Sequence, residues 1–128
     1  ALEKHNLPIE ESLVCKKTDT VETILDTVFN MVSSGKDSPT GFVVCNDYLA
    51  ARIVQFISKL GLNIPEDIAI IGSDNTNIAT ITSPTLTSVD FSKDELAEKV
   101  TKKLIALING EKPEDEYLDV RLVLRDSA

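Results

Sequence analysis

The sequence predicts an α/β fold: a parallel sheet with helices on both faces. Three observations carry this expectation. The runs Gly41-Phe42-Val43-Val44-Cys45 and Ile68-Ala69-Ile70-Ile71 are short, apolar and without alternation, as in strands buried on both faces. A helical pattern separates them, and strands alternating with helices imply right-handed crossovers and parallel pairing. Each run ends on a polar cluster, Asn46-Asp47 after the first and Asp74-Asn75 after the second. In open α/β sheets ligands bind beyond the carboxyl ends of the strands, so both clusters fall where a small molecule is read.

Taken in order, residues 1 to 6 read as the end of a helix, because Pro8 lacks an N–H and restricts the residue before it. Leu13-Val14-Cys15 is a short strand candidate. Val21, Ile24, Leu25, Val28, Phe29 and Val32 then recur at the spacing of an amphipathic helix. Asp19 with Glu22 supplies its N-terminal cap and Gly35 its stop. After the strand 41–45, a helix from about Asp47 to Leu60 places Ala50, Ile53, Val54, Ile57 and Leu60 on one face, with Gly61 ending it.

Beyond the strand 68–71, residues 73 to 85 are rich in Ser, Thr, Asn and Pro and read as a loop of functional length. Leu86 to Val89 forms a further strand. Ser92 and Glu95 make a capping box for a helix carrying Leu96, Val100, Leu104, Leu107 and Ile108, closed by Gly110. Last, Leu118, Val120, Leu122 and Leu124 alternate with more polar neighbours, which predicts a strand near a sheet edge and wet on one face.

At 128 residues the chain fits one domain with a single sizeable core. Its 42% apolar and 27% charged residues exclude general disorder. The net charge of −8 opposes binding to a phosphate backbone, so this stretch is not itself a nucleic-acid reader. No apolar run reaches membrane-spanning length, and the first residues lack a signal-peptide profile. The two cysteines, Cys15 and Cys45, lie in apolar runs and read as small buried hydrophobes in a reducing compartment, not as a disulfide or metal pair.

Asn46 offers both donors and an acceptor, and ionised Asp74 offers acceptors. Together they match a sugar hydroxyl or the edge of a heterocycle. Plainer roles stand beside these: Asp47 as the helix cap, Asn46 as a stabiliser of the strand-to-helix turn, Asp74 as the start of an Asx-turn. The single histidine, His5, sits outside every strand-end loop, so no Ser-His-Asp or Cys-His arrangement can form there. Nor do the five glycines make a phosphate-binding loop. The expectation is a binding module with no catalytic residue, no cofactor and no metal.

From Thr40 to Ser127 the chain resembles the effector-binding core of the LacI/GalR family of bacterial transcription regulators. The shared pattern includes Cys45-Asn46-Asp47 opening a helix with Ala50-Ala51, then Gly61 to Ile68 leading into Ile70-Ile71-Gly72-Ser73-Asp74-Asn75. It continues through Ser83-Pro84-Thr85-Leu86-Thr87-Ser88-Val89 and closes with Leu124-Arg125-Asp126-Ser127. Residues 1 to 39 are similar more loosely.

The resemblance implies a periplasmic-binding-protein-like type I fold of two lobes that close on a small effector, a sugar or related metabolite. It further implies a cytoplasmic homodimer that reaches operator DNA only through an N-terminal helix-turn-helix, which this sequence lacks. On that reading the chain is truncated: residues 1–91 and 118–128 belong to the C-terminal lobe and 92–117 cross to the N-terminal lobe. Its effector binding should then be weak, and its uncovered apolar edges should favour self-association.

Carried over by position, Asn46 and Asp74 match effector contacts, and the turn at Thr18 and Asp19 corresponds to another effector-facing loop. Ala50, Ala51 and Ile81 match the dimer seam. Ser73 and Asn75 depart from the residues common at their positions, which leaves the ligand's identity open. Two other functions share these features: an exported sugar receptor of an uptake system, and an α/β enzyme acting on a sugar or nucleotide.

Overall fold

The computed structural model describes residues 2–16 and 19–128, and the chain divides into two compact units, Ala1–Thr40 and Gly41–Ala128. In the first unit the expected helix end appears as a 3₁₀ turn at Leu2–His5, and the main element is α1, Val21–Val32. The hydroxyl of Thr20, not Asp19, caps α1 by accepting the Thr23 N–H at 3.2 Å. Asp19 instead accepts the Lys16 N–H at 2.7 Å, closing a local turn one residue too early to cap the helix. The strand expected at Leu13-Val14-Cys15 does not form. A 3₁₀ turn covers Glu11–Leu13, and the amides of Leu13 and Val14 donate to Glu10 and Glu11 carbonyls, which satisfies them without a neighbouring strand.

The second unit is a four-stranded sheet in the order β1 (Gly41–Val43), β2 (Ala69–Ser73), β3 (Thr87–Phe91), β4 (Val120–Val123). The first three strands run parallel, and β4 pairs antiparallel to β3, with Val89 opposite Leu122 and Asp90 opposite Arg121. Helix α2, Asp47–Lys59, packs on β2, and a short α3, Ile78–Ile81, packs on α2. Thus the loop expected over 73–85 contains one helical turn. Gly61, at φ +79°, follows the last turn of α2 in the left-handed conformation that glycine adopts without a Cβ penalty.

Ile53, Val54 and Ile57 of α2, with Ile68, Ile70 and Leu86, are buried and dominate the core of this unit. Complete burial of one such side chain contributes roughly 1.5 to 3 kcal/mol, so the α2 face and β2 carry much of the stability. Sequence spacing placed Ile53, Val54 and Ile57 on one face of α2; Leu60, expected on that face, is 38% exposed at the end of the helix.

Other expectations are corrected. β1 is an edge strand with Val43 85% exposed, so its lack of alternation does not reflect two covered faces. Cys15 and Cys45 are exposed free thiols, because the first lies in no strand and the second lies past the end of β1. Ser92 precedes α4, Lys93–Ile108, but its side chain makes no capping bond. β4 is indeed at an edge, yet its apolar residues Val120 and Leu122 are exposed, because nothing covers that side of the described sheet. Helix α4 likewise buries none of its residues, and Val100, Leu104, Leu107 and Ile108 stand open. No helix among the described residues is long and apolar enough to cross a membrane.

Candidate functional site

The carboxyl ends of the parallel strands hold the site. Asn46 follows β1 and begins α2: its side-chain oxygen accepts the Leu49 N–H at 2.8 Å, which makes it the helix cap. Its amide nitrogen donates weakly to the Cys45 sulfur at 3.6 Å. Replacing Asn46 with Ala should cost about 1 kcal/mol through loss of the cap, whereas Asp should retain it. Thermal unfolding of the two variants measures the difference.

Asp47, expected to be that cap, has a different place. It is fully buried, and its carboxylate accepts three hydrogen bonds: the Thr76 N–H at 2.6 Å, the Thr76 hydroxyl at 3.0 Å and the Ser88 hydroxyl at 2.6 Å. The cap position had already been taken by Asn46, one residue earlier, leaving the next side chain to turn inward. Gly72 on β2 leaves room for it, since a Cβ there would lie 2.5 Å from Asp47 Oδ1. A glycine inside an apolar strand is the sequence signal that could have revealed this close approach.

Asp74 begins the turn after β2 with a left-handed backbone, φ 97°, and its N–H donates to the Val89 carbonyl at 2.9 Å. It lines an open cavity of about 500 Å³ with Asn75, Asp90, Asp94, Asp119, Lys93 and Arg121. Arg121 donates twice to Asp90, at 2.8 and 2.9 Å, across the β3–β4 pair. The remaining carboxylates outnumber the remaining cation, so the cavity disfavours an anion and offers acceptors to hydroxyl or amine donors. Asn46 does not line this cavity, so the two residues singled out by sequence share the carboxyl end of the sheet but not that space.

Of the other expected ligand residues, Thr18 lies outside the described residues, and Asp19 belongs to the first unit, where its carboxylate is engaged with the Lys16 amide. Cys15 nearby has its thiol pushed up by burial and, secondarily, by the charge of Asp19, which suppresses its thiolate. Among the expected seam residues, Ala50 is fully buried and has no surface to offer a second chain. Ala51 and Ile81 border a groove of about 330 Å³ between α2 and α3, and Ile81 is 79% exposed. Among the described residues no cluster of His, Cys, Asp and Glu could hold a metal ion.

Two residues of the closing motif, to which the sequence assigned no role, complete the architecture. Ser127, fully buried, donates to the Ile70 carbonyl at 2.6 Å and accepts the Thr87 N–H at 2.9 Å, tying the C-terminal motif to the starts of β2 and β3. Arg125 donates to the Leu86 carbonyl and to the Asn75 side chain, at 2.7 and 2.6 Å.

A family profile described as a periplasmic binding protein-like domain matches residues 1–128. The regulator NtdR of the NTD biosynthesis operon of Bacillus subtilis is 34% identical over 103 residues, covering 78% of this chain and 31% of NtdR. Transcription regulator CcpA of Lactococcus lactis superposes with a TM-score of 0.80 at 28% identity, over 98% of this chain and 46% of that one. A sugar-binding transcriptional regulator of the LacI family from Escherichia coli does so with a TM-score of 0.77 at 25% identity, over 99% of this chain and 46% of that one. The chain thus spans about a third of the curated relative's length, and these relatives are regulators of transcription, not enzymes. The chain belongs to the periplasmic-binding-protein-like domain family, as an effector-binding domain of the kind found in LacI-family regulators.

Proposed function

We propose that this chain is the effector-binding and dimerisation portion of a cytoplasmic LacI-family regulator, and that its effector is a small neutral sugar or a close relative of one. The observation that carries the reading is Asp74, held in a left-handed turn at the carboxyl end of β2 and facing a carboxylate-rich cavity. Ionised carboxylates accept hydrogen bonds from sugar hydroxyls and repel phosphate. The Escherichia coli relative is described as sugar-binding and is complexed with phosphate, so it supports a sugar, while the preference for a neutral one rests on the carboxylates of this cavity.

On this reading residues 1–91 and 118–128 are the C-terminal lobe, and 92–117 cross to an N-terminal lobe that covers the open apolar side of α4. The groove beside Ala51 and Ile81 is the seam of a homodimer. Operator DNA is bound by a separate helix-turn-helix. Effector binding changes operator affinity only if the ligand binds two lobe arrangements unequally. Calorimetric titration of the full-length gene product with neutral monosaccharides and disaccharides, beside sugar phosphates, tests this. Saturable binding of a neutral sugar that alters operator affinity is expected, and turnover of any of these sugars would sink the reading.

A further inference from the structure

The turn after β2 contains two successive non-glycine residues with left-handed backbone, Asp74 at φ 97° and Asn75 at φ 44°. Such conformations are disfavoured for residues with a Cβ and persist where the surroundings over-determine them. Here the surroundings are polar. The Asn75 N–H donates to Ser88 Oγ at 3.1 Å, and the Ser88 hydroxyl donates onward to Asp47 Oδ1 at 2.6 Å. The other oxygen of Asp47 accepts both the N–H and the hydroxyl of Thr76, and Arg125 donates to the Asn75 side-chain oxygen at 2.6 Å.

We infer that Asp47 is a positioning residue for the effector site: through Ser88 and Thr76 its buried carboxylate sets the turn 74–76 and so presents the side chain of Asp74 to the cavity. The inference rests on the proposed role of Asp74 in contacting effector. A carboxylate is not needed here to start α2, since Asn46 already caps the helix. Nor is burying a carboxylate the cheapest way to fill the space, because an ionised group loses its hydration there. What a carboxylate supplies is acceptors on two oxygens at once, one for the Thr76 donors of the turn and one for the Ser88 hydroxyl of β3. Asparagine would put an N–H₂ group against either Ser88 or the Thr76 amide. The chain also keeps space for the acid, because Gly72 has no Cβ to collide with Oδ1.

The test reads the turn without any ligand, so it stands apart from the sugar titration. Residue-resolved amide hydrogen exchange of the full-length gene product, without ligand, is measured for the native sequence, Asp47→Asn, Ser88→Ala and Thr76→Ser. In Asp47→Asn and Ser88→Ala the Asn75 and Thr76 amides should exchange roughly tenfold faster or more, while those of Ile57 and Ile70 keep their protection. Thr76→Ser retains both donors and should match the native rates. Ser88→Ala removes one hydroxyl and keeps the inference testable if Asp47→Asn fails to fold. Unchanged exchange at 75 and 76, or an equal acceleration throughout the sheet, would overturn the inference. If instead the exchange pattern holds and no neutral sugar binds, the effector reading falls while the control of the turn by Asp47 stands.

Discussion

Replacing Asp47 with Ala is expected to lower the unfolding free energy of the chain by about 3 kcal/mol, a loss that corresponds to a midpoint roughly 10 °C lower for a domain of this size. The physical ground is the count of donors left behind. Asp47 accepts from the Thr76 amide, the Thr76 hydroxyl and the Ser88 hydroxyl, and both Asp47 and Ser88 are inaccessible to solvent. An unpaired buried donor costs about 1 to 3 kcal/mol, a penalty that falls in full on the buried Ser88 hydroxyl and in part on the half-buried Thr76 donors. Relief of the buried negative charge offsets part of the loss, which keeps the sum below three full penalties. Thermal or urea unfolding of the variant measures the effect. A shift under about 0.5 kcal/mol, the range of ordinary surface substitutions, would mean that the carboxylate contributes little to folding.

Changing Asp74 to Asn should weaken effector binding by the full-length gene product about 10- to 100-fold while leaving the unfolding midpoint nearly unchanged. Asn tolerates a left-handed backbone about as well as Asp does, and the Asp74 N–H bond to the Val89 carbonyl belongs to the main chain, so the turn survives the change. What is lost is charge. Hydrogen bonds to an ionised acceptor contribute about 1.5 to 3 kcal/mol, one to two decades in Kd. Calorimetry with a neutral sugar that binds the native protein gives the ratio directly. Equal affinities would place the effector contact elsewhere than Asp74.

The paired substitutions separate two kinds of aspartate that look alike in sequence. Both follow an apolar strand, and both stand beside an asparagine. Yet Asp47 turns into the core and Asp74 turns toward an open cavity. The difference arises from helix geometry: the residue at the cap is half outside the helix, and the next one already follows the helical path. Since Asn46 takes the cap, Asp47 is carried onto the side of α2 that meets β2 and β3, where Gly72 and Ser88 receive it.

By itself the sequence determined the order of β1, α2, β2, β3 and α4 over 41–109 but not the short α3, the buried face of α2 except Leu60, which is 38% exposed, the parallel pairing of β1 to β3 and the placement of Asn46 and Asp74 at strand ends. These rest on local periodicity and on turn residues, which act over a few positions and can be read one segment at a time. The failures share the opposite property. Leu13-Val14-Cys15 has the composition of a strand but no ladder, and Val120 and Leu122 alternate as if covered yet stand exposed. Whether an apolar residue is buried depends on a neighbour remote in the chain, which periodicity does not name. The same holds for the tie among Asp47, Thr76, Ser88 and Arg125, whose members come from four separate segments. Only the folded chain brings those segments within hydrogen-bonding distance, so only the tertiary structure could show which aspartate holds the turn and which one faces the cavity.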